Sequence, residues 1–136
     1  MSWKSIVLII VFGAATTRAV CVNGHPSIPA EFHSSKMVIL GKIVGMKAVR
    51  ETQDNYFLEG TMYQVDVQKR FKDGGAAAFE IFSENSSGRF NMSPGESYLL
   101  FVYEEHGRLM VDNCGNSGLE SKSADTIRQV KKLAHR

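Results

Sequence analysis

Met37-Val38-Ile39-Leu40-Gly41-Lys42-Ile43-Val44-Gly45-Met46 is the stretch on which the reading of this chain turns. It is rich in β-branched residues and almost continuously apolar, the pattern of a strand covered on both faces. Its two glycines predict bending, as at the corner of a curled sheet. Downstream, Tyr63, Val65, Val67 and Phe71 alternate with Gln64, Asp66, Gln68 and Arg70, which predicts a strand with one buried face. Ala78–Phe82, Tyr98–Tyr103 and Arg108–Val111 follow as three more strands. The turn residues Asp73-Gly74-Gly75, Ser93-Pro94-Gly95 and His106-Gly107 separate them. The polar stretch Arg50–Gly60 reads as a long mobile loop between the first two strands.

Helices are expected only at the periphery. Ile28–His33 forms a short N-terminal helix, with Pro29 tolerated in its first turn. Ser123 caps a C-terminal helix that carries Ile127, Val130 and Leu133 or Ala134 on one face. The expected class is therefore all-β with peripheral helices, and the expected architecture is a five-stranded OB-type barrel. An open sheet-and-helix sandwich is the alternative.

Lys4 precedes an apolar run, Ile6–Phe12, too short for a permanent membrane span, and Thr17 and Ala19 are the small residues of a cleavage site. Residues 1–19 thus read as a signal peptide and residues 20–136 as one secreted domain, extracellular or, in a bacterium, periplasmic. Losing Lys4 and Arg18 with the leader leaves Lys and Arg level with the 14 Asp and Glu. A neutral domain has no general attraction for phosphate backbones or anionic lipid. In an oxidising compartment Cys21 and Cys114 are expected to pair, and a loop of that length contributes roughly 4 to 5 kcal/mol. Two unpaired buried thiols are the alternative. Asn85-Ser86-Ser87 and Asn91-Met92-Ser93 fit the N-glycosylation pattern at Asn85 and Asn91.

The residues argue against catalysis. His25, His33, His106 and His135 stand alone, without metal-site spacing, so neither a metal nor a cofactor is expected. No serine lies in a nucleophile elbow. Glu104 and Glu105 are consecutive in a strand and face opposite ways. The aromatics Phe71, Phe79, Phe82, Phe90, Tyr98, Phe101 and Tyr103 would suit a single-stranded nucleic acid. Their alternation fits core packing better, and nucleic acid is not expected as a partner.

In order and spacing, five elements resemble the N-terminal domain of the tissue inhibitors of metalloproteinases, a netrin-like module on an OB barrel. They are Cys21 ahead of His25-Pro26; Phe32–Ile39, running from helix into strand; Tyr63-x-Val65-x-Val67 before Phe71-Lys72; Ser87-Gly88-x-Phe90 with Pro94-Gly95-Glu96-x-Tyr98-Leu99-Leu100-Phe101; and Cys114. Where the family has three disulfides, this chain has two cysteines. The family's first cysteine falls on Ala19 and its partner on Ser87, while another falls on His33. The resemblance implies a metallopeptidase inhibitor whose first residue chelates the protease's zinc. Here that ridge would comprise Val20, Cys21, Val22 and Asn23, helped by Arg50–Gly60 and Glu84–Gly88. Cleavage after Ala19 would start the chain one residue out of register, about 3.8 Å along the backbone. The alternative is a netrin-like interaction module that has lost zinc chelation and binds another extracellular or envelope protein.

Overall fold

A computed structural model of the protein describes residues 21–53, 56–73 and 75–136. Residues 1–19, read above as a signal peptide, and Val20 lie outside them. The chain runs α1 (Ile28–Ser34), β1 (Met37–Gln53), β2 (Tyr56–Lys72), β3 (Ala78–Glu84), β4 (Ser97–Glu105), β5 (Arg108–Val111), β6 (Gly118–Leu119), a 3-10 turn (Glu120–Lys122) and α2 (Ala124–Ala134). All strand pairs are antiparallel, in the order β3-β2-β1-β4-β5, and β6 adds to β4 beside β5.

Met37–Gly41 is buried on both faces, as its composition demands, whereas Lys42, Val44 and Met46 farther along the same stretch are exposed, so the expected two-sided burial ends at Gly41. Met37, Ile39 and Ile43 join Tyr98, Leu100 and Val102 of β4 in one core cluster, with Tyr63, Val65 and Ile81. The intervening Val38 and Leu40 join Leu99 and Phe101 in a second cluster, roofed by Phe32 of α1 and Val130 of α2. Two strands thus feed two cores by period-two alternation alone. At roughly 25 cal/mol per Å² of apolar surface removed from water, this central pair dominates the stability of the sheet.

The glycines of β1 sit where its pairing with β2 slips: register irregularities fall between Leu40 and Gly41 and between Ile43 and Gly45. A Cβ on Gly41 would stand 2.6 Å from Val65 Cγ1, so only glycine permits this approach of β2 to β1. The slips also redirect Phe71. It leaves the face of Tyr63 and Val65 and packs into the helix-covered cluster, contrary to simple alternation. Val67 stays on the expected face but is only half-buried.

Two further expectations are corrected. Arg50–Gln53 and Tyr56–Gly60 are not loop: β1 and β2 continue through them as a paired ribbon, with Arg50 opposite Glu59 and Gln53 opposite Tyr56, while Asp54 and Asn55 lie outside the described residues. A polar ribbon can pair its backbone without burying side chains, and hydropathy does not register it. Nor does the sheet close into a barrel. β3 and β5 end the strand path and lie against each other, but no hydrogen-bonded ladder joins them among the described residues. β5 is four residues long and spends one edge on β4. The Arg108 guanidinium stacks 4.5 Å from the Phe82 ring centroid, so side chains meet at this seam.

Both helices are where the sequence puts them. Ser27 caps α1, its hydroxyl accepting from Ala30 N–H at 3.3 Å. Lys72 closes the other end, donating from Nζ to the carbonyls of Phe32, His33 and Ser35 at 2.9, 2.7 and 2.6 Å. A cation there satisfies terminal carbonyls and complements the backbone partial charge at the helix end. At α2, Ser123 holds the N-cap position, but its hydroxyl donates backward to Leu119 O rather than capping. Ile127, Val130, Leu133 and Ala134 form the buried face as expected.

Candidate interaction site at the N-terminal segment

The chain from Cys21 to Pro26 has no regular secondary structure and lies on the surface. Discrete bonds hold it there. A disulfide joins Cys21 to Cys114, 93 residues apart in sequence, with Cα atoms 5.7 Å apart. Gly24 N–H donates to Cys21 O at 3.0 Å, with Gly24 at φ +69°, a value glycine adopts without strain. This tight turn puts Val22 and Asn23 at its tip. Val22 is 90 % exposed, far more than any other large apolar side chain among the described residues.

A second set of bonds fixes the base of the segment. His25 Nδ1 donates to Cys114 O at 2.8 Å, and Asn116 Nδ2 donates to Pro26 O at 3.0 Å. Asn116 also directs both its backbone N–H and its side-chain amide at Glu31 Oε2, at 2.7 and 2.6 Å. Burial holds the Glu31 carboxyl above its ordinary range; the Asn116 bonds oppose this and the nearby Asp112 charge adds to it. A Cβ on Gly115 would collide with Glu31 Oε1, so the glycine after Cys114 lets the carboxylate in. Asp112 Oδ1 accepts Cys114 N–H at 2.8 Å and orders the approach to the disulfide.

Of the expected ridge, the structure places Cys21, Val22 and Asn23 together on one exposed turn. Of the expected helpers, Glu84–Gly88 lies beside the β1–β2 ribbon through Asn85 N–H donating to Glu59 O at 2.8 Å. Ser86 and Gly88 also share a cavity with Asp112, two residues before Cys114. Asn85 and Asn91 are both exposed. Among the described residues no group of three or more His, Cys, Asp or Glu is placed to hold a metal.

Sequence reasoning passed over Glu31, Asn116 and Lys72, whose partners are distant in the chain. Gly115, directly after a bridged cysteine, was the one available sign that something packs closely there. No helix among the described residues is long and apolar enough to cross a membrane. No family model matches the chain, and no curated protein is significantly similar to it.

Proposed function

We propose that this protein is an exported, non-enzymatic binding domain that presents its disulfide-anchored N-terminal segment to a zinc metallopeptidase, in the manner of the tissue inhibitors of metalloproteinases. The observation that carries this reading is Val22. A side chain that gains by burial is held 90 % exposed on a segment fastened by a disulfide and by hydrogen bonds from its flanks. Pre-fastening lowers the ordering cost of binding, so an exposed apolar tip on a rigid base is suited to insertion in a partner's cleft. A catalytic zinc with three protein ligands keeps an open position, which a free α-amino group beside the ridge would occupy. The OB-type reading of the fold is supported by the strand order, whose two end strands, β3 and β5, lie against each other.

The second reading, a netrin-like module without zinc chelation, is favoured by the single disulfide. The family's first cysteine position is Ala19, so the segment has one covalent anchor rather than two adjacent ones.

Mature protein added to zinc endopeptidases separates the readings. The inhibitor reading expects inhibition that one added N-terminal alanine abolishes and Val22→Asp weakens. Absence of inhibition across matrix-type and thermolysin-type peptidases would overturn it. The module reading then stands, and it expects a pull-down partner whose capture Val22→Asp reduces.

A further inference from the structure

β1 is paired on both sides only as far as Ile43. Its ladder with β4 ends at Lys42 opposite Ser97. Beyond that, Ile43 N–H donates to Glu96 O at 3.0 Å and Gly95 N–H donates to Ile43 O at 2.7 Å. From Val44 to Gln53 the strand is bonded to β2 alone. No backbone group elsewhere among the described residues reaches this edge. Alternate residues along it turn N–H and C=O outward, a row of donors and acceptors open to another strand.

Edge strands are ordinarily guarded by charge, lysine above all. Here the guard is turned away. Lys47 Nζ lies 3.6 Å from Glu80 Oε1 of β3, and Arg50 Nη2 lies 3.3 Å from Glu59 Oε1 of β2, so both cations lean into their own sheet. What remains on the edge is apolar. Val44 is 49 % exposed and Met46 53 %, two of the three large apolar side chains exposed among the described residues. Met46 and the exposed Ala48 share one face of the strand, and Val44 leads into it.

These features select the occupant. Between Val44 and Arg50 the edge carries no unpaired charge for a foreign segment to read, and its own sequence is apolar and β-forming. A two-fold axis perpendicular to the sheet brings a second β1 alongside in antiparallel sense and keeps every residue on the face it already occupies. Gly95 and Glu96 close one end of the free edge, and the strand ends at Gln53 at the other. Full overlap of two such edges therefore sets the axis near Ala48, where the Met46–Ala48 stripes of both copies form one apolar surface. We propose that the β1 edge from Val44 to Gln53 is a self-association surface, on which a second copy of this chain adds antiparallel and joins two sheets into one. A single strand pair is a small interface, at or below the roughly 1,200 Å² where stable ones begin, so the dimer is weak, with a Kd on the order of tens of micromolar. The surface is distinct from the N-terminal ridge and does not depend on what the ridge binds.

The test is sedimentation equilibrium of the mature protein from about 1 μM to about 1 mM, a range that brackets that Kd. The mass should climb from monomer toward dimer, and amide exchange should slow at alternate residues of Val44–Gln53 over the same range. Ala48→Lys and Ala48→Glu each set like charges across the axis and should weaken dimerisation roughly fivefold. An equimolar mixture of the two variants should recover a heterodimer, because the charges are then opposite. Should the Ala48 variants fail to fold, Met46→Lys, at a half-exposed position of the same stripe, should weaken the dimer likewise. Association that these substitutions leave unchanged, or exchange protection that appears elsewhere on the surface, overturns the proposal. So does a monomer at every concentration, which would leave the edge to an extended segment of another protein.

Discussion

The centre of the sheet and the N-terminal segment are held in place by opposite means. Ile39 and Leu100 are fully buried and kept there by bulk packing, with no side-chain polar contact available to them. Val22 is almost fully exposed, and its segment is kept there by one covalent bond and a few hydrogen bonds. Packing is distributed and tolerant of small changes, whereas point fastenings are few and each can be removed alone. An exposed segment has no burial to hold it, so it needs the second kind of support.

Breaking the centre has the largest expected effect. Leu100→Ala leaves a cavity in a close-packed core and should cost about 3–5 kcal/mol, read from denaturant unfolding. A loss below 1 kcal/mol would mean that the centre is not packed as described. Next comes the fastening itself. Replacing both Cys21 and Cys114 by serine should cost about 2–5 kcal/mol and lower the melting temperature, with no further drop on adding reductant. If the wild type melts at the same temperature with and without reductant, the bridge is not a support of the fold.

Lys72→Met sharpens the contrast, because Lys72 fastens the helix that roofs the second core. It keeps the stem and deletes charge-assisted bonds to three carbonyls, and should cost about 1.5–3 kcal/mol. A neutral substitution would reduce those contacts to surface decoration.

The smallest effect concerns Glu31, at the base of the ridge. Its folded-state proton affinity is raised by burial, so the folded chain binds the proton more tightly than the unfolded chain. Its contribution is therefore greatest at acid pH, below the unfolded value, and is lost as pH rises through the folded value. Glu31→Gln should remove that decline and gain on the wild type from mildly acid pH toward neutrality. Parallel stability profiles across this range would contradict the assignment.

Both-face burial of Met37–Gly41 was legible because a continuous apolar run leaves neither face of a strand for water, and the turn residues between the runs marked where the strands end. Phe71 was not, since a register slip reverses sidedness without altering hydropathy. The β1–β2 ribbon was missed because its outer part is held by backbone pairing, which polar residues do not advertise. Closure was overread: five strands in sequence specify neighbours along the path, but not whether its last two edges will bond. In the candidate site, export logic pointed to the cysteines, and the family resemblance pointed to Val20, Val22 and Asn23 around the first of them. The Glu31–Asn116 contact joins residues 85 apart, and no local pattern encodes it.

The disulfide also divides the chain topologically. Residues 21 to 114 form a covalent ring that contains α1 and β1 to β5, while β6 and α2 hang outside it as a tail. A single proteolytic cut anywhere within the ring opens it without separating any piece until the bridge is reduced. A cut between Cys114 and α2 instead frees the helix whose Val130 closes the second core. The polypeptide is thus protected against loss of its sheet and vulnerable in one short span, where a single scission would strip the apolar cover from Val38, Leu40, Leu99 and Phe101.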